Sequence, residues 1–307
     1  MSPLHWAARH GPLVLIGGLI VGVAVPPLAA ALRPWLPQMV AGLLFVSVLR
    51  MQPAAVVGSL RRLPRSVLPV LGLQLLLPLA VLGLGQLAGL SGTPALTALV
   101  LMLAAPAIVG SPNICMMMGA APDHALRLMV AGTALLPLTA IPLLRAMPAL
   151  GDTGSVLAAS GRLALVIVGA TLAALAVRRL IFPRPSPETL RSMEGASAIA
   201  LAIFVIGLMQ AVSDGARTDP ARFGLWLALA FAANFGAQTL AWRLARNRLP
   251  RDKATALSVI AGNRNISLYF LSLPPDTIAP LLVFIGCYQI PMYLTPLIMG
   301  RMYRRKP

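Results

Sequence analysis

Four consecutive residues, Gly262-Asn263-Arg264-Asn265, interrupt an apolar run that extends from Ala254 to Leu273. Their types could bind a small charged group. A guanidinium presents five donors in a planar fork, and each primary amide both donates and accepts. The glycine eases local unwinding, which frees carbonyl and N–H groups that a helix would consume. An arginine at membrane depth costs roughly 3 kcal/mol on insertion scales, so Arg264 must face a partner or a wet cavity rather than lipid.

A second interruption repeats this chemistry. Pro106-Ala-Ile-Val-Gly-Ser-Pro-Asn113 lies inside the apolar run 93–120, where Pro112 cannot donate to a helix ladder and Gly110 lowers the cost of unwinding. Ser111, Pro112 and Asn113 therefore join Gly262, Asn263, Arg264 and Asn265 as candidate site residues. Unwound backbone exposes carbonyls and amides, and the half-helix ends carry partial charges that an ion or substrate can use. A pair of kinks patched by neighbouring amides is the plainer alternative.

The elements that must position these residues are apolar runs of membrane-spanning length. They cover about 13–32, 37–49, 66–87, 93–120, 126–148, 156–177, 196–212, 223–241, 254–273 and 277–299. The first ends in a faint likeness to a signal-peptidase site and is read as a retained span. Five runs precede the 149–155 connection and five follow, dividing the chain into halves 1–151 and 152–307. An odd number of spans per half inverts one repeat against the other. Both interruptions then fall in the fourth run of a half, the placement expected of broken, crossing helices in inverted-repeat carriers.

Composition agrees with a membrane protein. Hydrophobic residues make up 58% of the chain and charged residues 11%. The net charge of +17 is spread over connections between apolar runs, so it reads as a topology signal rather than a nucleic-acid surface. With both termini on one side, that side collects 19 of the 25 basic residues, which places both termini in the cytoplasm and the chain in the cytoplasmic (inner) membrane. The acidic residues all fall in or beside expected connections, leaving no carboxylate relay within a span. His5, His10 and His124 read as solvated. Paired carboxylates, a Ser/His/Asp set and metal-ligand spacing are all missing from the spans, so an enzyme is the weakest class.

The two interruptions together resemble the bile acid:sodium symporter family. Pro106 with Ser111-Pro112-Asn113 is similar to that family's fourth-helix proline and Ser-Asn pair, and Asp123 to the acidic residue opening its fifth helix. Gly262-Asn263-Arg264-Asn265 is similar to its ninth-helix Gly-x-Gln-Asn. The resemblance implies ten helices in two inverted five-helix repeats. Helices three to five and eight to ten would form a core, helices one, two, six and seven a panel, with substrate in the cleft between them. It also implies where this chain departs. The family's sodium-binding Glu falls on Ile260, its Gln on Arg264, and its fifth-helix Ser and Thr on Arg127 and Ala131, although a register shift would bring Thr133 into the ligand set. Sodium needs a cage of hard oxygens, and two cations about 4 Å apart repel by roughly 4 kcal/mol at an effective dielectric of 20.

Arg264 is therefore read as a cation surrogate, acting as a fixed tie between the breaks or as an anchor for an anionic substrate. No cofactor is expected and sodium is disfavoured. The expected function is sodium-independent secondary transport of a small organic anion, with the lipid bilayer and that anion as partners. The alternatives are a sodium-coupled symporter with a rearranged site and a non-transporting membrane sensor. Gln74, Gln289 and Tyr288 are secondary candidates facing the crossing or bonding a neighbouring helix. Met116-Met117-Met118 reads as packing, and Cys115 and Cys287 as small core hydrophobes. The 182–195 connection reads as a cytosolic hinge, with Glu194 and Ser197 as candidate panel residues.

Overall fold

The computed structural model describes residues 2–147 and 152–304. The expected boundary at residue 151, residue 148 at the end of the fifth run, and the basic residues Arg305 and Lys306 lie outside them. The described residues are mainly helical. In order it forms α1 (Pro3–Arg9), α2 (Gly11–Ala24), α3 (Pro26–Leu32), α4 (Leu36–Arg50), α5 (Pro53–Arg61), α6 (Leu63–Leu71), α7 (Leu77–Leu87), α8 (Pro94–Ala104) and α9 (Ser111–Met117). There follow α10 (Pro122–Arg145), α11 (Thr153–Leu180), α12 (Pro187–Thr218), α13 (Pro220–Ala245), α14 (Arg251–Gly262), α15 (Pro275–Ile278), α16 (Leu282–Ile298) and α17 (Gly300–Arg304).

Among the described residues, seven helical stretches are long and apolar enough to cross a membrane, or up to eight if a bent pair near the N-terminus counts as one. Their outer faces are oily. In the most apolar windows of Leu63–Leu87 and Thr153–Leu180 only 22% of the residues are buried, and Leu68, Leu87 and Leu165 are each more than 70% exposed. Water would penalise such a surface and lipid would not, so this is a multi-pass membrane protein.

Helix ends follow the prolines. Pro occupies the first turn of α3, α8, α10, α12 and α13, where its missing N–H has no helical acceptor in any case. Thr93, Asp152, Ser186 and Asp219 cap α8, α11, α12 and α13 with side-chain oxygens.

Two expected boundaries move. The first run, 13–32, is divided at Val25, because the Pro26-Pro27 pair drives the preceding residue out of the helical region; Pro26–Leu32 instead continues through a tight turn into α4. α12 begins at Pro187, nine residues before the expected 196, so Glu194 lies within a helix and not in a hinge. His5 is not free in solvent either. Its ring nitrogen lies 3.0 Å from Ser192 Oγ, and α1 packs on α12 so closely that a Cβ on Gly195 would sit 1.9 Å from the Leu4 carbonyl oxygen.

α12 packs along α2, α3 and α4, α13 lies against α14 and α16, and α10 contacts α6, α9 and α14. The two apolar clusters that result meet at the interruptions.

Candidate functional site

Both interruptions are unwound, and they pair with each other. α8 stops at Ala104 and the next helix starts at Ser111; α14 stops at Gly262 and a short tight-turned segment, Ile266–Leu271, follows. Between them the chain is extended, and Ala107 and Arg264 form an antiparallel bridge. Ile108 N donates to the Asn263 carbonyl at 2.9 Å, and Asn265 N donates to the Pro106 carbonyl at 2.7 Å. Each break thereby supplies the hydrogen bonds the other lacks, as nonhelical backbone at membrane depth requires.

Side chains brace the crossing from two directions. On the α14 side the Gly262 carbonyl accepts from Asn234 Nδ2 at 2.6 Å and from the Tyr288 hydroxyl. Gln238 Nε2 donates to Asn234 Oδ1 at 2.6 Å and to Thr295 Oγ1 at 3.1 Å, and Ser258 donates to the Gln238 carbonyl at 2.6 Å. Asn263 belongs to this framework: its Nδ2 donates to the Val259 carbonyl at 2.9 Å, and its Oδ1 lies 3.1 Å from Thr295 Oγ1. Asn263 is therefore a buried strut, not a ligand-facing amide.

A second link ties the crossing to the stretch between α6 and α7. Residues Gly72–Leu76 wind as a widened π-type turn, and Leu77 N donates to the Gly72 carbonyl. The next carbonyl, Leu73, would take the N–H of residue 78 in that register, but residue 78 is proline. Arg264 Nη2 fills the vacancy, donating to the Leu73 carbonyl at 2.9 Å. Gln74, on the same turn, donates to the Gly132 carbonyl at 3.1 Å and lies 3.4 Å from Thr139 Oγ1, fastening α10. Arg264 is 1% exposed, and its Nε has no hydrogen-bond partner among the described residues.

A cavity of about 410 Å³ lies between α2, α4, α12, α16 and the crossing. Volume in this range suits a small organic ligand. Of the candidate residues, Asn113, Arg264, Asn265 and Gln289 line it. Gln289 also donates to the Ile285 carbonyl of its own helix at 3.2 Å. Ser111 is fully buried with no hydrogen-bond partner for its hydroxyl among the described residues, and it, Pro112 and Gly262 do not line the cavity.

Arg127 and Thr133 are not part of the cavity. Arg127 Nε donates to the Asp123 carbonyl at 3.3 Å, and Thr133 Oγ1 to the Met129 carbonyl at 2.9 Å, both within α10. Met117 and Met116 are exposed, so the packing expected of the methionine triplet holds for Met118 alone. The sequence reading placed Arg50 among topology charges, and it too lines the cavity, with Glu194 and Ser197 facing it from α12. The network residues Asn234 and Gln238 went unmarked, although an amide pair spaced i, i+4 in an apolar run was a readable signal.

These residues do not fit a sodium ion at the crossing. Ile260, where the resemblance calls for a carboxylate, is 2% exposed, and the gap of about 10 Å³ beside it is walled by Leu73, Gln74, Leu128 and the Arg264 side chain itself. A hard cation would there meet hydrocarbon, one side-chain amide and a guanidinium, not a cage of oxygens. No family model matches the chain, and no curated protein matches it.

Proposed function

We propose that this protein is a secondary carrier of a small organic anion that works by alternating access without sodium. The observation that carries the reading is the pairing of the two unwound segments, Pro106–Ile108 with Asn263–Asn265, at the wall of a ligand-sized cavity. Such crossings are how membrane carriers place backbone charge at mid-depth without exposing it to lipid.

On this reading α2, α3–α4, α6–α7, α8–α9 and α10 form five passes, and α11, α12, α13, α14 with its following turn, and α15–α16 form five more in inverted order. Equivalent elements then carry buried amides: Gln74 on the third pass, fastening α10, corresponds to Asn234 and Gln238 on the eighth, which hold the α14 break. The third to fifth and eighth to tenth passes would be the core, and the first, second, sixth and seventh the panel across the cavity. Residues Arg50 and Glu194 lie on the side that the basic residues assign to the cytoplasm, so the cavity is read as the inward-facing state of an inner-membrane carrier. Arg264 serves as the fixed cation that ties α14 to the Leu73 carbonyl.

Counterflow of organic acids into proteoliposomes, with and without a sodium gradient, tests this. Exchange independent of sodium is expected. Dependence on sodium would restore a coupled symporter, and ligand-induced stabilisation without any counterflow would point to a sensor.

A further inference from the structure

The charged groups of the cavity number three: Arg264, Arg50 and Glu194. Arg264 already spends its guanidinium on the Leu73 carbonyl and is 1% exposed. Arg50 is the opposite case. It is the last residue of α4, it lines the cavity, and its guanidinium makes no hydrogen bond or close ion pair with any described residue. Glu194, on the neighbouring helix α12 of the same wall, makes no close ion pair with it and acts on it through space. A guanidinium with its fork unused, held in a cavity wall beside a carboxylate that forms no close ion pair with it, is arranged to take a carboxylate from outside the chain.

We propose that Arg50 is the anion anchor of this cavity, that Glu194 restrains it until cargo arrives, and that the cargo is an organic monoanion with a compact apolar body. The inference rests on the carrier reading only in treating the cavity as the cargo site. The charge balance selects a single negative charge, because two guanidinium groups and one carboxylate leave one positive charge to neutralise. A dianion would meet Glu194 without a second free cation. The wall between Arg50 and the crossing is apolar, with Leu43, Leu44, Ile108, Leu201, Phe204 and Met292 facing the space, and this is where the body would lie. Ser47, one turn before Arg50, does not compete for the anion, because its hydroxyl donates to the Leu43 carbonyl at 2.5 Å.

Three probes of one shape test the assignment: adamantane-1-carboxylate, adamantane-1-carboxamide and 1-aminoadamantane, titrated calorimetrically into the purified full chain in nanodiscs. The carboxylate should bind, and the other two should bind at least about ten-fold more weakly. Arg50→Gln should weaken the carboxylate by roughly 10- to 100-fold while leaving the carboxamide unchanged. Glu194→Gln should tighten the carboxylate, since it removes the competing charge; this second variant keeps the proposal testable if Arg50→Gln fails to fold. Equal binding of carboxylate and carboxamide, no binding of any probe, a neutral Arg50→Gln or a Glu194→Gln that weakens binding would each overturn it. Counterflow of the same carboxylate separates the two readings. Arg50-dependent binding without counterflow sinks the carrier and leaves the anchor, whereas counterflow that survives Arg50→Gln sinks the anchor and leaves the carrier.

Discussion

Adding one methyl group at Gly262 tests whether the crossing is as tightly braced as its hydrogen bonds imply. A Cβ there would lie 2.2 Å from the Asn234 carbonyl oxygen and 2.4 Å from Gln238 Cγ. The first of these is backbone and cannot swing aside, so α13 must retreat by roughly 1 Å to restore ordinary contact distances. That retreat pulls on the Asn234 bond to Gly262 and on Gln238's bond to Thr295. Overpacking of this kind costs about 1–3 kcal/mol, and weakening two buried hydrogen bonds adds about 1 kcal/mol each. A total of about 3–5 kcal/mol should lower the melting temperature by roughly 10 °C.

The assay is thermal unfolding of the purified protein in detergent, with Gly161→Ala as the control. Gly161 lies inside α11 and an added Cβ there meets nothing within 4 Å. The control should therefore hold or gain stability, by up to about 1 kcal/mol from the better helix former. If Gly262→Ala melts within about 2 °C of the wild type, α13 is not packed on the break and the bracing argument fails.

Arg264→Ala leaves the Leu73 carbonyl buried without a donor and should cost about 1–3 kcal/mol for that group alone, together with loss of counterflow; a fully active, fully stable variant would remove Arg264 from the mechanism. Arg264→Met fills most of the same space without burying a charge, so it should regain stability but not counterflow, which unfolding and flux measured side by side would separate. Pro78→Ala returns an N–H to the widened turn, giving the Leu73 carbonyl a partner within its own helix; counterflow should fall while the melting temperature holds, and unchanged flux would refute the role given to that turn. Replacing external sodium with N-methylglucamine should leave initial uptake rates unchanged.

The interruptions were legible because Pro, Gly and Asn have no apolar reason to occupy the middle of an apolar run, and their matching positions already suggested a pair. Hydropathy does not mark where helices end, since a polar turn can extend a helix beyond the hydrocarbon. That is why residues 187–195, outside the apolar window 196–212 but inside α12, were read as part of a hinge. The break at Val25 was written in Pro26-Pro27 but hidden by the unbroken apolar run around it. Arg50 could not be told from the other basic residues near it, because what distinguishes it is a cavity formed by helices far away in sequence. The partner of Arg264 was likewise beyond reach: it follows from a missing N–H at Pro78, and only tertiary packing brings that turn to the crossing.

The division of labour between the two arginines also bears on what can move. Arg264 joins α14 to the turn between α6 and α7, Gln74 joins that turn to α10, and Asn234, Gln238 and Tyr288 join α13 and α16 to the same break. These links pass through buried groups whose exposure would leave carbonyls and a guanidinium unpartnered, so the braced elements should travel as one body. Across the cavity the wall residues of α4 and α12 offer mainly side chains without such links, and Arg50 and Glu194 form no close ion pair. On the proposed function, the boundary that slides is therefore the cavity itself. Cargo seated against Arg50 would lie on the panel side of that boundary while the uncommitted amides of Asn113 and Asn265 face it from the crossing. A carboxylate with one polar group at the far end of its apolar body would span both sides, and so would couple binding to closure better than the bare monoanion does.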